Sequence, residues 1–186
     1  MSSDVWTGGR FQPFTNDHKD VVDSLLNRFD KVYIGIRYVL ERNWYAPFEP
    51  EEAAAMIKSV YPSSDVDTFF LRRYNPFRMK KEILQNIPEG TPFFTREKKW
   101  YKNVKRLGLP VLPLEERTGG SATDVRVLWY NGDQRFADFI PVPIAEYMRK
   151  PEITARIPEL KNRKPILDKY GIVPAFVKGL KNAFTF

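Results

Sequence analysis

The chain has 186 residues, 42% of them apolar and 15% aromatic, which is enough for one hydrophobic core of ordinary size. It contains no cysteine and one histidine, His18; disulfides, thiol nucleophiles and zinc fingers are excluded, since a zinc site needs three or four Cys, His or carboxylate ligands. The formal charge of +7 favours polyanionic partners, either nucleic acid or a highly charged nucleotide. No apolar run approaches the roughly 20 residues that span a bilayer. Met1 to Asp4 carries no basic and apolar leader, so a cytoplasmic protein without a membrane partner is expected.

Asp4 to Gly9 reads as a first strand that ends in the pair Gly8 and Gly9, and a loop through Pro13 follows. Asn16 or Asp17 is expected to cap a helix whose apolar stripe is Val21, Val22, Leu25, Leu26 and Phe29. Lys31 to Ile36 gives a second strand. Glu49 and Pro50, followed by Glu51 and Glu52, mark a helix start that turns Ala53, Met56, Ile57 and Val60 to the sheet. The alternation continues with strand Val66 to Leu71, helix Phe77 to Ile87, strand Thr91 to Thr95 and helix Glu97 to Leu107, which Gly108 stops. A fifth strand, Val111 to Leu114, leads through the loop Glu115 to Ser121 into a helix from Thr123 to Tyr130.

Five strands separated by helices predict an α/β fold with a doubly wound, five-stranded parallel sheet, because parallel neighbours need crossover connections. Ligands in such sheets bind beyond the carboxyl ends of the strands where strand order reverses, which directs attention to the loops after strands one, four and five. Beyond Phe136 the prolines 141, 143, 151, 158, 165 and 174 leave room only for short helices. Residues 1–148 are therefore read as the main domain and 149–186 as a short, basic, helical C-terminal extension. Ile153, Ile157, Leu160, Ile166 and Leu167 are too apolar for a disordered arm, so packing on the domain is favoured over contact with nucleic acid. A homo-oligomer is compatible with this reading.

Two segments carry the chemistry. Gly9-Arg10-Phe11-Gln12-Pro13-Phe14-Thr15-Asn16-Asp17-His18 joins the first strand to the first helix, a position suited to anions: glycines let a phosphate approach, the helix N-terminus offers amide hydrogens, and Arg10 and His18 add donors. It lacks the glycine spacing of dinucleotide-binding dehydrogenases and of P-loop enzymes. The second segment, Gly119-Gly120-Ser121-Ala122-Thr123-Asp124-Val125-Arg126, again sits between strand and helix; Ser121 and Thr123 supply hydroxyls and Arg126 a bidentate fork. Taken alone, either is equally well a helix cap or a turn. Together, at two ends of one sheet, they describe a clamp for a polyphosphate.

The first segment is similar to the G-x-F-x-P-[HT]-x-G-H signature of the nucleotidylyltransferase superfamily, and Ser121 to Arg126 is similar to its I-S-x-T-x-x-R signature. Gly9 to Phe14, with Ala46-Pro47-Phe48-Glu49-Pro50-Glu51-Glu52 and Met56-Ile57, most resembles the archaeal type of nicotinamide-mononucleotide adenylyltransferase, over about Val5 to Met148. The resemblance implies a Rossmann-like nucleotidylyltransferase fold and direct transfer of AMP from ATP to nicotinamide mononucleotide, releasing pyrophosphate. It also implies that His18 donates to the α-phosphate, that Arg10 and Arg126 hold the β- and γ-phosphates with Ser121 and Thr123, and that Mg²⁺ rides on the triphosphate with no protein metal site. Gly8, Gly9, Phe11, Gln12 and Thr95 complete the nucleotide site on this reading, with Gly35, Trp44 and Tyr45 toward the acceptor.

The chain departs from the pattern at three places, one of which is Arg72 to Pro92, where the family's Asn and Trp pattern near the nicotinamide site is lacking. Thr15 stands where a first histidine is common and is assigned, with His18 and Arg126, to the catalytic set as a phosphate donor. Asp17 replaces a glycine and puts a carboxylate near the triphosphate; it caps the helix, binds the phosphates through a metal, or lowers activity. Rival readings are a nucleotidylyltransferase with another acceptor or nucleotide, such as pantetheine-phosphate adenylyl or cytidylyl transfer, and a non-catalytic nucleotide- or RNA-binding module on the same fold.

Overall fold

The structure, a computed structural model, describes residues 3–39, 41–72, 76–115 and 121–162. Four strands form one parallel sheet in the order β3-β2-β1-β4: β1 (Asp4–Gly9), β2 (Lys31–Arg37), β3 (Val66–Leu71) and β4 (Phe93–Phe94). Alternate residues point to opposite faces, as the pleat requires. Val5 on β1 and Val32, Ile34 and Ile36 on β2 face one core, under α1 (Asn16–Leu26) and α2 (Pro50–Val60). Trp6, Phe69, Leu71 and Phe93 face a second core with Ile83 of α3 (Pro76–Asn86) and Val104 of α4 (Lys98–Arg106). Helices on both faces make the sheet doubly wound.

The fifth strand expected over Val111 to Leu114 is reduced, among the described residues, to one parallel bridge between Val111 and Phe93. Three prolines explain the shortening. Pro110 and Pro113 have no amide hydrogen for a ladder on either side of Val111-Leu112, and Pro92 likewise trims the start of β4, which runs Phe93–Phe94 rather than the expected Thr91–Thr95. Gly108 adopts φ +70°, the left-handed turn that closes α4.

Gly35 is explained by packing. It pairs with Gly8 across β1 and β2, and a Cβ there would lie 2.9 Å from Leu71 Cδ1 and 3.0 Å from Phe69 Cζ. The absent side chain is filled by the second core.

After α5 (Ala122–Tyr130) come a 3-10 turn, Gln134–Phe139, and the short helices α6 (Val142–Arg149), α7 (Pro151–Thr154) and α8 (Ile157–Asn162). Ile144, Met148, Ile153 and Leu160 are buried in the same core as α1 and α2. Residues 163–186 of the expected extension lie outside the described residues. No described helix is long and apolar enough to cross a membrane.

Glu52 of α2 ties these helices down. Its carboxylate accepts from Tyr147 Oη at 2.6 Å, from Arg156 Nη1 at 2.8 and 3.0 Å, and from the Glu49 amide at 2.8 Å. Burial raises the Glu52 carboxyl, but these hydrogen bonds and the Arg156 charge outweigh it and bring the group below its ordinary value of 4.5. A depressed carboxyl contributes stability that is complete above the unfolded value and is lost as pH falls through the folded one. Glu52→Gln is therefore expected to lower Tm at neutral pH and to flatten its fall between about pH 5 and 3. Thermal melts across that range check this; parallel Tm curves for the two proteins would contradict it.

Candidate active site

The chain runs outward from β1 through β2 to β3 and then crosses back to place β4 on the other side of β1. Strand order reverses between β1 and β4. A cleft opens there at their carboxyl ends, lined by Thr7 to Gln12, Asp17, His18, Phe94 to Glu97, Ser121 to Thr123 and Arg126. The two sequence motifs, more than 100 residues apart, face each other across it.

Thr15, rather than Asn16 or Asp17, caps α1, which moves the expected cap by one residue. Its Oγ1 accepts from the His18 amide at 3.4 Å, and its own amide donates to His18 Nδ1 at 2.9 Å. Because Nδ1 accepts that bond, the neutral ring carries its proton on Nε2. Phe11 packs edge-on against the ring at 5.1 Å and Phe14 lies at 5.5 Å, so the imidazole is held in orientation as well as in tautomer. Thr15 itself is buried and does not line the cleft. The hydroxyl expected to reach phosphate serves the cap, and the Thr15 amide fixes the His18 ring.

The other wall repeats the device. Ser121 caps α5, accepting from the Asp124 amide at 3.3 Å and donating its hydroxyl to Asp124 Oδ2 at 2.8 Å. Thr123 Oγ1 accepts from Arg126 Nη2 at 3.0 Å, and Arg126 Nη1 donates to the Gln12 carbonyl, binding the second motif to the first. Arg126 is only 3% exposed and its Nε has no hydrogen-bond partner. Burial, with the nearby charge of Arg10, brings its guanidinium down to about 10. Asp124, Tyr130 and Tyr45 pull the other way, but burial outweighs them, so the charged form is held at a cost.

Gln12 lines the cleft, and its side chain bonds both backbone polar groups of Phe48, donating to the carbonyl and accepting from the amide at 2.9 Å each. Phe11 takes φ +51°, a strained choice for an aromatic residue and one met at ligand loops. Thr95 is buried at the end of β4, its Oγ1 accepting from the Glu97 amide at 3.0 Å. The expected sites Gly8, Gly9, Arg10, Phe11, His18, Thr95, Ser121, Thr123 and Arg126 thus converge on one cleft.

Gly35, Trp44 and Tyr45, expected toward the acceptor, do not line it. One face of Trp44 is stacked on Tyr130, 4.2 Å between centroids at 23°, which engages it in packing. Gly119 and Gly120 lie outside the described residues. Sequence reasoning missed the salt bridge from Arg96 to Asp17, 3.2 Å long and inside the cleft; the signal available was Arg96's place just past a strand at the switch point.

No family model matches the chain. Curated relatives do. A nicotinamide-nucleotide adenylyltransferase from Picrophilus torridus is 28% identical over 159 residues, covering 82% of this chain and 94% of its own. One of the same name from Methanocorpusculum labreanum is 27% identical over 139 residues, covering 72% and 82%. The chain is an enzyme of the nucleotidyltransferase class, similar to archaeal nicotinamide-nucleotide adenylyltransferases. Among solved structures, the chain shares its fold with a bifunctional NMN adenylyltransferase/ADP ribose pyrophosphatase from Francisella tularensis, at TM-score 0.70 and 18% identity over 84% of this chain. It spans about half the length of that protein, 52%. A second structure of that bifunctional protein, complexed with AMP and a manganese ion, superposes at TM-score 0.65 and 17% identity, covering 86% and 54%.

The cleft donors are guanidinium, imidazole, hydroxyl and backbone groups, which suit phosphate oxygens. Among the described residues no three His, Asp or Glu side chains gather into a metal cage. That donor set suits a divalent ion carried mainly by a bound triphosphate and water.

Proposed function

We propose that the chain transfers AMP from ATP to nicotinamide mononucleotide, forming NAD and pyrophosphate. The observation that carries the reading is the bond from buried Arg126 to the Gln12 carbonyl, which closes both phosphate motifs into one cleft at the switch point. The acceptor is taken from the names of the curated relatives.

On this reading Arg10 and Arg126 grip the β- and γ-phosphates, supported by Ser121, Thr123 and the N-terminus of α5. Gly8 and Gly9 let the phosphates approach the backbone. An acceptor phosphate oxygen attacks the α-phosphorus in line, a new P–O bond forms, and the bond to the bridging oxygen breaks to release pyrophosphate. His18 Nε2–H donates to the α-phosphate as charge builds there, and no covalent enzyme intermediate is needed. Mg²⁺, when bound, neutralises triphosphate charge. Thr95 faces the nucleoside, residues 1–148 form the transferase domain, and the enzyme works in the cytoplasm.

Incubating the protein with Mg²⁺, each nucleoside triphosphate and a panel of phosphate acceptors, while following pyrophosphate, tests the assignment. ATP with nicotinamide mononucleotide is expected to give the highest kcat/KM. Turnover with pantetheine phosphate or with CTP instead would replace the proposed acceptor or nucleotide.

A further inference from the structure

One charged pair inside the cleft is not used by the phosphate chemistry. Asp17, in the first turn of α1, and Arg96, two residues past β4, are joined by a hydrogen bond from Arg96 Nη1 to Asp17 Oδ1 at 3.2 Å. The two side chains are 12% and 20% exposed, so the pair is largely withdrawn from water. A carboxylate is out of place in a site built only for a triphosphate: it cannot donate a hydrogen bond, and it repels phosphate oxygens. Arg96 offsets that repulsion by neutralising Asp17 and fixing its orientation. The pair then offers the cleft a preorganised acceptor of little net charge.

Only the donor groups of a nucleotide can use such an acceptor, and these are the sugar hydroxyls and the amine of the base. Position separates them. Asp17 immediately precedes His18, and where His18 meets the α-phosphate, the next part of the nucleotide is the ribose; the base amine lies beyond it. Sidedness separates the two nucleotides. Asp17 and Arg96 share their cleft with Arg10 and Arg126, the proposed holders of the triphosphate, whereas the residues on the β2 side lie outside it.

We infer that Asp17, positioned by Arg96, accepts hydrogen bonds from the ribose hydroxyls of the donor nucleotide and makes the enzyme selective for ribonucleoside over deoxyribonucleoside triphosphates. The inference rests on the proposed place of His18 at the α-phosphate. Carboxylate recognition of ribose hydroxyls is an established solution in other nucleotide sites.

The test is calorimetric binding of ATP, 2′-deoxyATP, 3′-deoxyATP and inosine triphosphate to the full chain with Mg²⁺ and no acceptor. The wild type is expected to bind ATP about tenfold more tightly than either deoxynucleotide, the worth of a charge-assisted hydrogen bond. Asp17→Gly should weaken ATP to the level of the deoxynucleotides and erase the ratio. Asp17→Asn, which keeps an acceptor oxygen and the shape of the helix start, should leave an intermediate ratio. Equal affinities in the wild type, a ratio that survives in Asp17→Gly, or discrimination against inosine triphosphate alone would overturn the inference and leave the proposed transfer standing. Absence of ATP binding in the wild type would overturn that transfer, and this inference with it.

Discussion

Replacing His18 with asparagine is expected to lower kcat by about 100-fold, to change ATP affinity by less than about threefold, and to leave Tm close to the wild-type value. The two ring nitrogens of His18 are separated in role, one observed and one proposed. Nδ1 accepts from the Thr15 amide and completes the cap of α1, while Nε2 carries the proton proposed for the α-phosphate. An asparagine oxygen occupies nearly the place of Nδ1, so it preserves the cap and removes only the Nε2–H donor. His18→Ala removes both and should also cost about 1 kcal/mol of stability. Steady-state kinetics, direct ATP binding and thermal melts on the two variants separate these effects. An asparagine variant with wild-type kcat would remove His18 from the transition state, and one that loses ATP binding and kcat equally would make it a ground-state contact.

Arg126→Met is expected to raise KM for ATP by about 100-fold or more while keeping stability within about 1 kcal/mol of wild type. The two halves of this prediction have one cause. A guanidinium that is 3% exposed, with an unpartnered Nε and a depressed pKa, weakens the unliganded fold; its charged form is disfavoured by burial and by Arg10. Methionine fills much of the same space without that cost, which offsets the lost bond to the Gln12 carbonyl. On the proposed reading a bound triphosphate supplies the opposite charge that offsets this burial. Arg126→Lys should not restore affinity, because an ammonium cannot reach Gln12, Thr123 and a phosphate in one plane. Unchanged KM in Arg126→Met would place the triphosphate elsewhere.

Most of the frame was legible because period-2 apolar runs and capped helices are local signals. β1 and β3 lie over the expected residues, Asp4–Gly9 and Val66–Leu71. The fifth strand was not legible, since its residues are apolar enough but Pro110 and Pro113 remove the amides that would make it a ladder. The cap of α1 was misplaced by one residue because Thr15, Asn16 and Asp17 all have capping side chains, and only the return bond from Thr15 to His18 decides among them.

The cleft residues were legible because both motifs adjoin strand ends. What each side chain does was harder to read. Gln12 and Thr15 look like ligands in sequence, and their side chains are spent on Phe48 and on the cap. Trp44 and Tyr45 follow a strand end, but Trp44 is claimed by Tyr130, a partner 86 residues away. The pairing of Asp17 with Arg96, 79 residues on, is invisible to local spacing.

Direct adenylyl transfer is tested most directly by a single-turnover reaction of the full chain with ATP labelled in its α-phosphate, Mg²⁺ and nicotinamide mononucleotide, quenched over time and resolved into protein, nucleotide and dinucleotide. The account predicts that label passes from ATP to NAD in step with pyrophosphate release, with none on the protein at any time and none released when the acceptor is omitted. Label retained covalently by the chain, or ATP consumed without a dinucleotide, would contradict it.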